Sequence, residues 1–247
     1  MAELRQTPFN ETLGNTELSA PGEQHLACVL LLDTSSSMIF GNKIGKLNDG
    51  VKRFLTQTSM DELARKRVDV AIIEFNDTAR VVREFTPLTK TEPVTLEAKG
   101  CTAMGEAINL AIDKIKERNW FYSSMGTPCL KPWIVMITDG EPTDDISMAA
   151  ERIKFEESKG EHGKLNFWSV GVDDYNLRVL AKLSVQKHII ELSDYNFTNF
   201  FDWLGESIVL VSASEPGMKV SLPDLPDNAR PIRKNEIPDE WNDDCIW

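Results

Sequence analysis

The chain has 247 residues, 41% hydrophobic and 27% charged, enough for one large α/β domain with a sizeable core. Its 39 acidic against 27 basic residues give a formal charge of −12, which repels nucleic-acid phosphates and favours cations or basic partner surfaces. No apolar run reaches bilayer-spanning length, the N-terminus lacks the order of a signal peptide, and cysteines 28, 101, 129 and 245 show no metal-ligand spacing, so the expectation is a cytoplasmic protein that binds neither membrane nor nucleic acid and has no disulfide framework.

Residues 1–24 are polar and without a sustained period, an irregular lead-in. Leu26-Ala27-Cys28-Val29-Leu30-Leu31-Leu32 follows, seven apolar residues without alternation, as in a strand buried on both faces of a parallel sheet. It ends abruptly in Asp33-Thr34-Ser35-Ser36-Ser37. In open α/β sheets ligands gather at the carboxyl ends of strands, and oxygen donors at alternate positions of one tight loop suit a divalent cation that prefers oxygen. Ile44, Leu47, Val51, Phe54 and Leu55 then form the apolar face of a helix expected to end near residues 65–67. Residues 68–75 and 79–85 read as strands joined by a turn at Asn76-Asp77, and Arg80, Arg83 and Pro87 mark the second as the antiparallel edge of the sheet.

Thr102 precedes a helical face of Met104, Ala107, Ile108, Ala111, Ile112 and Ile115, and residues 119–132 look like a packed connector. Trp133-Ile134-Val135-Met136-Ile137 is a second buried strand that runs into Thr138-Asp139-Gly140-Glu141-Pro142-Thr143-Asp144-Asp145. A helix over 146–153 with Thr143 or Asp144 as N-cap, a strand over 165–172, a short helix over 177–183 and a strand over 188–192 continue the alternation. Phe197, Phe200, Phe201, Leu204, Ile208 and Val211 give the closing helix a strongly apolar face. The expected organisation is a lead-in over 1–24, a domain over 25–214 and an acidic, proline-rich tail over 215–247 carrying Trp241 and Trp247.

Asp33, Ser35 and Ser37, then Thr102, then Asp139 therefore all belong on one rim of the sheet. In this pattern, D-x-S-x-S with a distant T and a distant T-D-G, the chain resembles the von Willebrand factor A family and its metal-ion-dependent adhesion site. Asp33-Thr34-Ser35-Ser36-Ser37-Met38, the 138–143 stretch and Val220-Ser221-Leu222-Pro223 are similar to the bacterial tellurite-resistance-associated TerY branch. The resemblance implies an α/β, doubly wound, mostly parallel six-stranded sheet with one antiparallel edge strand and helices on both faces. It implies a divalent cation, Mg²⁺ foremost with Mn²⁺ or Ca²⁺ as alternatives, held by Asp33, Ser35, Ser37, Thr102 and Asp139. It also implies a non-enzymatic module whose protein partner supplies an Asp or Glu to the metal, in a stress-resistance setting shared with a protein kinase and a PP2C-like phosphatase. Many relatives carry Gly where Ser36 stands, so a positive φ there would strain the serine.

The residues also admit other readings. A metal-dependent phosphotransferase of haloacid dehalogenase type would use Asp33 as nucleophile, but Ser35 stands where its second aspartate belongs. Glu141, Asp144 and Asp145 fit helix N-terminal acids better than ligands. Cys101 is expected to be a partly buried small residue, and His25, His162 and His188 to be core or surface residues. The tail's acids, or the terminal carboxylate beside Trp247, are candidates to reach the open metal position.

Overall fold

The computed structural model describes residues 18–90, 92, 94–158, 165–184, 188–215, 217–238 and 241. Strand β1, Leu26–Asp33, lies in the middle of the sheet, parallel to β2, Val68–Phe75, on one side and to β4, Trp133–Thr138, on the other. Strands β5, Asn166–Val172, and β6, Ile189–Leu192, extend the parallel sheet, and β3, Ala79–Pro87, closes one edge antiparallel to β2. The order is β3-β2-β1-β4-β5-β6-β7. The doubly wound, mostly parallel sheet with an antiparallel β3 is as expected, with one strand more: β7, Ala229–Pro231, pairs antiparallel with β6 and closes the opposite edge.

The unbroken apolar run of β1 sorts itself by alternation. Leu26, Cys28, Leu30 and Leu32 pack under α1, Lys43–Thr58, and α6, Phe197–Ala213. Ala27, Val29 and Leu31 face the other layer, built from α3, Met104–Ser124, α4, Ser147–Glu157, and α5, Leu177–Leu183. Burial on both faces removes the polar partners that an exposed face would require, which is why the sequence shows no period of two. The winding of the sheet reverses between the parallel neighbours β1, whose crossover runs outward to β2, and β4, whose crossover runs the other way to β5. The carboxyl ends of β1 and β4 therefore flank the crevice where such sheets bind ligands.

Two helix boundaries differ from expectation. The first helix stops at Thr58 and a second, α2, Glu62–Arg67, starts anew, because the Asp61 carboxylate accepts from Ala64 N at 2.8 Å and caps it. Helix α3 runs on through Trp120, Phe121 and Tyr122, shortening the connector. Beyond Ala213 the described chain packs against the sheet and its helices: Trp203 Nε1 donates to Pro223 O at 3.0 Å, Leu222 and Leu225 pack on the α1/α6 layer, and Ile232 and Ile237 are buried in the opposite layer. Trp241 packs there too, while Trp247, Cys245, His162 and the terminal carboxylate lie outside the described residues. His25 is buried and bonds Asp69, which also accepts from Tyr122 OH and pairs with Arg118, and His188 stacks on Trp168. Among the described residues no helix is long and apolar enough to cross a membrane.

Candidate metal centre

Asp33 is the last residue of β1, and its carboxylate is fixed from two sides. Oδ1 accepts from Ser35 N at 2.8 Å and Oδ2 from the Thr138 hydroxyl at 2.6 Å. The Ser35 and Ser37 hydroxyls lie 2.9 Å apart, and Ser37 Oγ donates to Asp139 Oδ1 at 2.6 Å. Thr102 is placed by a reciprocal pair with the loop after β4: its N–H donates to Thr143 Oγ1 at 3.1 Å and its carbonyl accepts from Thr143 N at 2.9 Å. The loop after β1 is tied to the strand and loop beside it, since Thr34 N donates to Phe75 O, Ser36 N to Gly100 O and Lys99 N to Thr34 O.

These bonds bring all five expected side chains together. A Cβ built on Gly140 would stand 3.4 Å from Thr102 Oγ1, 3.7 Å from Asp33 Oδ2 and 3.8 Å from Ser37 Oγ. Gly140 thus leaves a small cradle open between three oxygen donors, with Ser35 and Asp139 reaching it through Ser37. Three hydroxyls and two carboxylates are the donors a hard divalent cation takes, so the residues present fit the implied metal. Among the described residues no group of three or more His, Cys, Asp and Glu side chains could hold a metal.

Asp33 is fully buried, and burial pushes its pKa up to about 6; the Ser35 and Thr138 hydrogen bonds pull the other way, and the nearby Asp139 carboxylate adds to the rise. The folded chain therefore binds this proton more readily than the unfolded chain between the ordinary 3.8 and about 6. The stability from protonation is present in full below that window and lost as pH rises through it, about 3 kcal/mol in all. In chelator, the urea-unfolding free energy is expected to fall from about pH 4 to about pH 7, across the interval between the unfolded and folded pKa values, and Asp33→Asn to remove that component. An identical pH slope in both proteins would contradict the assignment.

Several site residues were missed in the sequence. Thr138 orients Asp33, and its place before Asp139 at the strand end was the available signal. Thr143 positions Thr102 and does not cap α4. Asp144 caps α3, accepting from Gly105 N at 3.0 Å and Glu106 N at 2.8 Å, while Asp145 accepts from Ser147 N at the start of α4 and Glu141 from Asn176. Lys43, the first residue of α1, had no pattern to reveal it: its Nζ lies 2.5 Å from Asp139 Oδ2 and 3.3 Å from Asp173 Oδ2. Burial lowers the Lys43 pKa, but Asp139 and Asp173 together more than reverse this and raise it.

Ser36 does not take a positive φ, so the anticipated strain is absent; its hydroxyl donates to Gly100 O at 3.0 Å. The left-handed residues sit further on, at Gly41 (φ 62°) and Asn42 (φ 56°). Gly41 also lets the Tyr195 ring approach, since a Cβ there would come within 2.6 Å of it. The turn leaves Met38 buried but Ile39 and Phe40 exposed, Phe40 by 73%. Cys101 is exposed, contrary to expectation, and its pKa is raised by a hydrogen bond from its thiol to Asp77, which makes a reactive thiolate less accessible.

The family described as von Willebrand factor type A domain matches residues 28–203. No curated protein matches the chain. Among solved structures, proximal thread matrix protein 1 from the mussel byssus is 15% identical over 85% of this chain and 49% of that one, with a TM-score of 0.55. A second structure of that protein, with a zinc-occupied MIDAS motif, is 13% identical over 75% of this chain and 48% of that one, with a TM-score of 0.52. The pilus adhesin SpaC from Lactobacillus rhamnosus GG is 14% identical over 76% and 31%, with a TM-score of 0.59. The chain spans about half or less of the length of these proteins, and at such identities the likeness is one of fold.

Proposed function

We propose that this chain, which belongs to the von Willebrand factor type A family, is a non-enzymatic binding module that recognises an acidic side chain of a protein partner through a divalent cation. The observation that carries this reading is the convergence of Thr102, Asp33 and Ser37 oxygens on the space above Gly140, with Ser35 and Asp139 bonded to them. Asp33, Ser35, Ser37, Thr102 and Asp139 are the residues that would hold the metal, with Mg²⁺ the expected ion and Mn²⁺ or Ca²⁺ as alternatives. The cation would supply a Lewis-acidic position for a carboxylate. The protein's part is to fix the donors: Thr138 holds Asp33 in place and Thr143 fixes Thr102.

A nucleophilic Asp33 fits the site poorly. Its carboxylate is fully buried and both oxygens already accept hydrogen bonds, and no second carboxylate stands at position 35 to move a proton.

Exposed Ile39 and Phe40 follow Ser37 closely in the chain and would give the partner an apolar contact beside its carboxylate. Phe40→Ser is expected to weaken partner capture about tenfold while leaving metal affinity unchanged; loss of metal affinity as well would assign Phe40 to the fold of the loop. Capture by the immobilised chain should require Mg²⁺ and vanish with EDTA, and recovery indifferent to EDTA overturns the reading. The 33–38 and 138–143 stretches support testing a protein kinase and a PP2C-like phosphatase first, in a bacterial stress-response setting such as tellurite resistance.

A further inference from the structure

Asp139 divides its carboxylate between two donors. Oδ1 accepts from Ser37, and Oδ2 faces the Lys43 ammonium at 2.5 Å. Lys43 is only 4% exposed, and its second partner is Asp173, just beyond β5, held at a φ of 61°. Tyr195 OH donates to Asp173 Oδ2 at 2.9 Å, and the Tyr195 ring lies 5.5 Å from Lys43 Nζ. Lys46 Nζ stands over the same ring, 4.9 Å from its centroid. The lysine is thus fixed in place from α1, β4, β5 and the start of α6.

We infer that Lys43 is a built-in counter-cation that weakens the site's hold on a divalent metal and makes that hold depend on an added carboxylate. The inference rests on the metal reading proposed above. Its basis is charge. Asp33 and Asp139 are the two carboxylates of the donor set and the buried Lys43 ammonium lies against Asp139, so a bound divalent cation leaves donors and lysine with an excess positive charge, which the 37% exposed Asp173 carboxylate, screened by solvent, offsets only in part. Without Lys43 the two carboxylates alone would neutralise the metal. A site with that excess attracts an anion more strongly and binds the metal alone less strongly. Metal and acidic partner then bind as a pair, each raising the affinity for the other by the same factor. Ser35, Ser37 and Thr102 are neutral donors and do not offset this charge.

Calorimetric titration of the full chain with Mn²⁺, with and without acetate as the carboxylate probe, tests this. Lys43→Met and Lys43→Gln are both expected to bind Mn²⁺ more tightly, by about tenfold or more for loss of one nearby unit charge, and to lose most of the enhancement that acetate gives the wild type. Lys43→Arg should retain wild-type behaviour. If Lys43 served only to fasten α1 to the sheet, both neutral variants would melt earlier and bind metal equally or less well, and that result overturns the inference. Loss of the titration in Asp33→Ala with unchanged affinity in the Lys43 variants would reject the role of Lys43 alone. A wild type that shows no Mn²⁺ binding would reject the metal reading and the inference with it.

Discussion

Asp33→Ala is expected to reduce affinity for Mg²⁺ and Mn²⁺ by a factor on the order of 100 or more, while the chain stays folded. Asp33 is one of only two carboxylates in the donor set, and its Oδ2 borders the cradle over Gly140 directly. Its removal leaves Ser35 N and the Thr138 hydroxyl without their acceptor, each at a cost of about 1–3 kcal/mol when buried. Against this, a desolvated charge disappears, the charge that raises the Asp33 pKa. The two effects oppose each other, so the thermal midpoint in chelator should move little. Calorimetry of wild type and variant, with a melt of each, checks both halves; equal metal affinity would sink the site as drawn.

The second large effect belongs to Gly140. Its hypothetical Cβ would meet its neighbours at 3.4–3.8 Å, ordinary contact distances, so a side chain there need not disrupt the fold. It would instead take up the space between the Thr102, Asp33 and Ser37 oxygens. Gly140→Val is therefore expected to abolish metal binding at a nearly wild-type melting temperature, with Gly140→Ala intermediate. This variant removes no donor, so it separates the space the ion needs from the chemistry that holds it. Metal affinity that survives in a folded Gly140→Val would place the ion elsewhere.

The sheet was legible in the sequence because its two central strands are buried on both faces: the runs 26–32 and 133–137 need no partner pattern to be seen. Asp33, Thr102 and Asp139 were legible because each ends a strand, directly follows one or precedes a helix, where the fold delivers side chains to one rim. Lys43 was not, since a lysine in the first turn of an amphipathic helix looks solvent-facing until Asp139 and Asp173 are placed around it. The break at Ser59 was obscured by apolar spacing that continues past it, and only the Asp61 cap reveals the restart. Strand β7 has three residues, ends in Pro231 and lies in an acidic stretch; what makes it a strand is the free edge of β6, a partner more than thirty residues away.

The two antiparallel strands at the outer edges also decide how this molecule meets others. β3 carries Arg80, paired with Glu74, and Arg83, which donates to Glu92 O; β7 carries Arg230, bonded to Glu191 and Glu236. Charged, proline-bearing borders, one of them only three residues long, resist backbone zippering by a foreign strand. Polymerisation by strand addition is therefore disfavoured at both ends, and the proposed contact through the loops above Asp33 and Asp139 would be one made by side chains and not by backbone.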